Sequence, residues 1–263
     1  MEIKLKYLYG LTEDMLNPSY KDTFNEFGFF LNDISDKELE IAKKLSLCKI
    51  RMKDISNNSR GGNFQKRIKE NIGIEVLGGA QIQRNGIFYI KGFVNKEDIE
   101  NDNKCFIKVN SVLAQNIVAH IQNPTEHIKI TAYYPENKKQ VIVDTINQIT
   151  FNEDYSAKVF WLLFNSNLIN WYTYRFILAK AIRTIHFDKP VTDRIPVPES
   201  LYSAQQFFIT KADKMLTLNK NLQNVSTKFQ RTILRRFELI SLSKKLEKWY
   251  DLTFELFLKE MAK

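Results

Sequence analysis

The stretch from Lys158 to Glu199, KVFWLLFNSNLINWYTYRFILAKAIRTIHFDKPVTDRIPVPE, restricts the possible folds more than any other part of the chain. Phe160, Leu163, Phe164, Asn167, Leu168, Trp171, Tyr172, Phe176 and Leu178 recur at helical spacing, which predicts a helix whose aromatic surface belongs in a core. Lys180, Arg183, Thr184 and His186 then interrupt the apolar pattern with polar, mostly basic residues. Ile195-Pro196-Val197-Pro198 ends it, because two prolines are incompatible with a helix interior and with a central strand. After them the composition shifts to one long amphipathic helix, so Pro196 and Pro198 are the expected domain boundary.

The preceding hundred residues have a different period. Short β-like runs broken by turns occupy Ile72 to Leu77, Gly86 to Ile90, Cys105 to Val109, Val112 to Ile121, Ile128 to Tyr134, Val141 to Val143 and Thr145 to Thr150. Ile3, Leu5, Tyr7 and Tyr9 alternate as in a short strand. Asp36 to Leu47 reads as a helix, with Leu39, Ile41, Ala42 and Leu45 apolar and Ser35 or Asp36 as its cap. From Leu201 to about Phe237, apolar residues at spacings of three and four predict a helix of about 55 Å. That helix needs a partner, which residues 240–263 supply through Leu242, Leu246 and Trp249 if they fold back, and which a second subunit supplies otherwise. The expected fold is α+β in three parts: a lead-in strand and helix over 1–48, a β-rich domain with packed helices over 49–199, and a helical spacer or docking tail over 200–263.

Composition narrows the function. A net charge of +9 on 263 residues favours a polyanionic partner, and nucleic acid is the commonest one in a cell. No apolar run approaches the roughly 18 to 20 residues that a membrane span needs. With no signal-peptide pattern at MEIKLKYLYG, the expected location is cytoplasmic. Cys48 and Cys105 have no second Cys or His at metal-ligand spacing, so neither a zinc site nor a disulfide framework is expected, and no cofactor.

Catalytic patterns fail on inspection. Asn17-Pro18-Ser19-Tyr20 lacks the second proline of an adenine-methylating loop, and no Gly-rich cofactor loop lies upstream of it. Gly61-Gly62 and Gly78-Gly79 are not followed by Lys-Ser/Thr, which a phosphate-binding loop requires. His120, His127 and His186 form no Ser/His/Asp pattern, and Glu136-Asn137-Lys138 lacks the Pro-Asp of a nuclease.

Binding chemistry is better represented. Arg60, Asn63, Gln65, Lys66 and Arg67 surround the first glycine pair, and Gln81, Gln83 and Arg84 follow the second. Arg and Gln side chains make bidentate contacts to guanine and adenine edges in the major groove, while Lys holds phosphate. Arg175, Lys180 and Arg183 extend the DNA-binding set from the basic end of the aromatic stretch.

Several blocks resemble a known family. Asn165-Ser166-Asn167-Leu168, Trp171-Tyr172, Ile185-His186-Phe187 and Ile195-Pro196-Val197-Pro198 resemble the signature of the TaqI-like target-recognition domains. Those domains stand at the C-terminal end of adenine-N6 DNA methyltransferases and type IIG restriction-modification enzymes. Val76-Leu77-Gly78-Gly79-Ala80-Gln81-Ile82-Gln83-Arg84 and Ser59-Arg60-Gly61 are similar to their earlier blocks, in the same order. The tail, from Lys211 to Leu216 and from Leu242 to Tyr250, resembles the end of type IIG chains. The resemblance implies a non-catalytic specificity subunit, or the specificity part of a longer enzyme. Its partners would be double-stranded DNA and a methyltransferase or endonuclease domain or subunit, with a homodimer through the long helix as one assembly. The competing expectation is a structural assembly protein that acts through that helix without binding DNA.

Overall fold

The computed structural model describes residues 26–29, 34–87, 89–181 and 184–262. The alternating segment from Ile3 to Tyr9, the Asn17-Pro18-Ser19-Tyr20 turn and Arg183 lie outside the described residues. The architecture is α+β: a β-rich body of short strands and packed helices, then a long C-terminal helix and a short terminal one.

Helix α1 (Asp36–Ser46) begins at a capping box. Ser35 Oγ accepts from the Glu38 amide and the Glu38 carboxylate accepts from the Ser35 amide, which settles the cap on Ser35. Leu39, Ala42 and Leu45 are buried, whereas Ile41 points off that face and is 43% exposed.

The strands in chain order are β1 (Ile50–Arg51), β2 (Ser56–Arg60), β3 (Ile74–Leu77), β4 (Ile82–Gln83), β5 (Gly86–Ile87), β6 (Gly92–Val94) and β7 (Ser111–Gln115). They continue with β8 (Ile117–Ile121), β9 (His127–Lys129), β10 (Ala132–Tyr133), β11 (Val141–Ile142), β12 (Ile146–Phe151), β13 (Ile185–His186) and β14 (Pro196–Val197). Four of them form an antiparallel sheet in the order β10-β7-β12-β2, and two three-stranded sheets run β11-β3-β6 and β13-β8-β9. In β11-β3-β6 the pleat divides two cores. Val76 and Val141 join Phe64, Val94 and Cys105 on one face, while their neighbours Leu77 and Ile142 join Ile82, Leu113 and Ile146 on the other. Burial on both faces shows in the sequence as the consecutive apolar pairs Val76-Leu77 and Val141-Ile142.

Three expected elements are divided. Val112 to Ile121 breaks at Asn116, whose side chain bonds His186 Nδ1 at 3.1 Å and accepts from Asn147 at 3.0 Å, so β7 and β8 enter different sheets. Ile128 to Tyr134 divides between β9 and β10 in the same way. The aromatic stretch breaks at Ser166, which is extended and accepts from the Ile169 amide, giving α2 (Ala157–Asn165), α3 (Asn167–Tyr172) and a π-helical turn, Thr173–Ile177. Cys105 to Val109 is no strand; Phe106 makes a single bridge to Val141.

The proline pair does not divide the molecule. β14 pairs antiparallel with β1, Ile50 opposite Val197, and the compact units are Met1–Ala212 and Asp213–Lys263. After a helical turn, Glu199–Ser203, the chain reorients at Ala204 and α4 runs Gln205–Arg236. Within the second unit the tail folds back as one of the expected partners. The Phe229 ring lies 4.3 Å from Trp249, whose Nε1 donates to Ser226 Oγ at 3.1 Å, and α5 (Phe254–Met261) brings Phe257 to 6.1 Å from Phe229. Met215, Leu218, Leu222 and Val225 stay 45–58% exposed on α4. No helix among the described residues is long and apolar enough to cross a membrane.

Candidate nucleic-acid interface

A cleft of about 760 Å³ is lined by the β8–β9 turn, by β9, by α3 and by the π-helical turn. It draws Arg84, Lys129, and the pair Arg175 and Lys180 together from three separated segments, against two carboxylates, Glu38 and Glu126. His127 and Asn167 stand exposed on its edge.

Polar side chains buried behind the cleft fix its geometry. Arg84 occupies the two-residue turn of the β4–β5 hairpin; its Nε donates to the Ile130 carbonyl at 2.9 Å and its guanidinium to Asn170 Oδ1 at 3.3 Å. Asn170 Oδ1 also accepts from the Ile130 amide at 2.6 Å, and its Nδ2 donates to Phe164 and Ser166 carbonyls. Trp161 Nε1 reaches both the Arg84 and Ala132 carbonyls at 3.1 Å. Asn165 exchanges two bonds with the Ala132 backbone. The hairpin, the β9–β10 connection and the α2–α3 corner are thereby locked as one piece, and burial alone lowers the Arg84 pKa.

Arg175 is tied in from the far wall. Its guanidinium lies 3.6 Å from Glu38, which also accepts from Trp171 Nε1 at 3.2 Å. Burial of Glu38 works against its charge. The Ser35 amide and hydroxyl, Trp171 and Arg175 outweigh that, so its pKa falls below the ordinary carboxylate value. Lys180 sits at φ +55° just after the turn.

Of the residues named from sequence, Arg84, Arg175 and Lys180 meet in this cleft. Asn63, Lys66 and Arg67 are exposed after β2, where Arg67 donates to the Asp98 carbonyl, and Gln83 is exposed on β4. Arg60 is half exposed, 3.7 Å from Asp188. Two expectations need correction. Gln81 is only 6% exposed and cannot reach a base edge. Gln65 is spoken for on both sides, donating to Asp144 at 2.5 Å and accepting from Lys91 at 3.0 Å.

The glycine pairs let the chain approach itself closely. A Cβ on Gly61 would stand 2.5 Å from the Val143 carbonyl oxygen, and one on Gly79 2.8 Å from that of Thr145. Lys129, His127 and Asn167 were missed as cleft residues. Lys129 carries no local signal at all, since only the β8–β9 hairpin brings it there.

A family model described as a domain of unknown function (DUF8810) matches residues 202–263. No curated protein matches the chain. Among solved structures, the chain is similar to the S subunit of a type I restriction-modification system from M. genitalium, at 13% identity and a TM-score of 0.42, over 88% of this chain and 56% of that one. It is also similar to an HsdS subunit from Thermoanaerobacter tengcongensis, at 14% identity and a TM-score of 0.34, over 78% of this chain and 49% of that one. A third likeness, to a chain from a type I R-M system complex, has 10% identity, a TM-score of 0.36 and coverage of 74% and 49%. The chain spans about half the length of these structures.

Proposed function

We propose that this chain is a non-catalytic module that recognises a sequence in double-stranded DNA and delivers a restriction-modification partner to it. The observation that carries the reading is the cleft, where Arg84, Lys129, Arg175 and Lys180 converge from separated segments against two carboxylates. A rigid, locally cationic recess with Asn167 exposed on its edge suits a duplex, whose phosphates fix register while side chains read base edges. Lys129, Lys180, Lys66 and Arg67 are the phosphate contacts in this reading. Gln83, Asn63 and Asn167 read bases, and Arg84 holds the hairpin that carries Gln83. The sequence blocks that resemble adenine-N6 and type IIG target-recognition domains support the finer assignment, with methyl transfer or cleavage performed by a partner domain or subunit.

Anisotropy of a labelled duplex tests the reading directly. Binding weakens by about 10³-fold or more between low and moderate salt if six or more phosphates are neutralised. Lys129→Glu weakens all duplexes alike, and Gln83→Ala relaxes base preference by about 1–3 kcal/mol. A wild-type chain that binds no duplex at low salt removes the proposal.

One observation favours a second reading, assembly through the long helix. Met215, Leu218, Leu222 and Val225 repeat at three and four residues and remain exposed, the pattern of a helix that pairs with another.

A further inference from the structure

Ile72 is 86% exposed and holds φ at +62°, a left-handed backbone in which a β-branched side chain is crowded against its own peptide. Glycine or asparagine would occupy the same turn with less strain. The conformation is imposed by both ends of the loop. Lys69 and Phe93 exchange backbone hydrogen bonds at 2.7 and 2.9 Å, and Ile74 pairs with Val94, so residues 70–73 are pinned as a projection between two fixed points. Gly73, at φ +140°, completes the base, since a Cβ there would lie 2.5 Å from the Val94 carbonyl oxygen. Within 66–73, Lys66, Arg67 and Lys69 are exposed cations and Glu70 is the one carboxylate. A strained, solvent-facing isoleucine on a rigid basic projection has no role in the packing of this body.

We infer that Ile72 is a wedge that enters the base stack of duplex DNA while Lys66, Arg67 and Lys69 hold the flanking phosphates. This rests on the DNA-recognition reading and adds to it a specific means of discrimination. An apolar side chain driven between two base pairs unstacks that step and kinks the duplex, and pyrimidine–purine steps yield most readily. Ile72 therefore selects a deformable step without making a hydrogen bond to any base. The backbone strain serves this by aiming the side chain outward before DNA arrives, so no ordering cost falls on binding.

The experiment uses the full chain and the duplex that the wild-type protein enriches from a random pool, with 2-aminopurine scanned through it. Wild-type binding raises 2-aminopurine fluorescence at one step. Ile72→Asn, which suits the left-handed turn, keeps a melting temperature at or above wild type. It loses the fluorescence rise and binds on the order of tenfold more weakly, with the salt dependence unchanged. Ile72→Leu retains the rise. A bound wild-type complex with no unstacked step, or an Asn variant that unstacks as wild type does, overturns the wedge and leaves DNA recognition standing. A wild-type chain that enriches no duplex removes both.

Discussion

Asn170 concentrates the logic of the candidate site in one side chain. Its amide oxygen holds the Ile130 N–H and the Arg84 guanidinium, and its amide nitrogen spans the break between α2 and α3. Truncation to alanine leaves the buried Ile130 N–H without its partner, so Asn170→Ala is expected to destabilise by about 1–3 kcal/mol in urea unfolding. Weaker DNA binding should follow, because the hairpin bearing Gln83 loses its anchor. Arg84 illustrates how far a residue can be read from sequence. Its type and position after a glycine pair point to base recognition, yet its Nε and one guanidinium nitrogen are committed to the scaffold. In the blocks that carry the family resemblance, Gly79, Arg84 and Asn165 are joints hydrogen-bonded to distant segments, and Gln81 is buried. Residues that stay recognisable in a sequence because they hold a fold together are poorly placed to vary with a DNA target.

At the scale of elements, apolar periodicity identified what depends on it and missed what does not. β3, β7 and β11 were legible because each carries adjacent buried Val, Ile or Leu, and β12 through the buried Ile146, Ile149 and Phe151. β2, with the sequence Ser-Asn-Asn-Ser-Arg, was not, since its place in the sheet comes from five residue pairs with β12 and from the buried Asn58 amide, which donates to the Phe187 carbonyl at 3.1 Å and to Thr192 at 3.0 Å. Breaks within apolar runs, at Asn116 and Ser166, were equally silent, because one polar residue does not alter a period. The long helix was legible through its spacing, and so was its need for a partner. The tail covers only part of its apolar face, as the Phe229–Trp249 contact and the exposed Leu218 and Leu222 show. Light scattering of the free chain should therefore report a species above the 31.0 kDa monomer, and Leu222→Glu should return it to the monomer with duplex affinity per chain unchanged. A wild-type chain that is monomeric at every concentration excludes pairing between copies.

For the whole molecule, stability should depend on pH from both sides, with signs set by particular groups. Burial, with help from the Asp102 charge, pushes the Cys105 thiol up to about 11, and burial with Glu136 pushes Tyr133 up to about 12. The unfolded chain releases these protons at about 8.5 and about 10, so from those values up to about 11 and about 12 the native state binds more protons and stability falls as pH rises. Cys105→Ala should make the decline in urea midpoint above about pH 8.5 shallower. Glu38 acts in the opposite direction. Its lowered pKa supplies stability that is present at neutral pH and lost as pH falls through the carboxylate range, and Glu38→Gln should remove that acid limb. The excess of positive charge acts at this scale too, and salt should weaken DNA binding far more than it weakens folding.

By itself the sequence determined the α+β class, the long helix and its need for a partner, the basic balance and the pool of Arg, Lys, Asn and Gln from which an interface could be drawn. These are local or summed properties: period, charge and residue chemistry survive without knowledge of contacts. Only the tertiary structure decided which members of that pool are free to touch a ligand. It buried Gln81, occupied Gln65, turned Arg84 into a joint, brought Lys129 to the cleft and left Ile72 outside. The reason is physical: a buried amide or guanidinium must satisfy its hydrogen bonds within the fold, and which partners lie within about 3 Å is set by pairings between segments far apart in the chain.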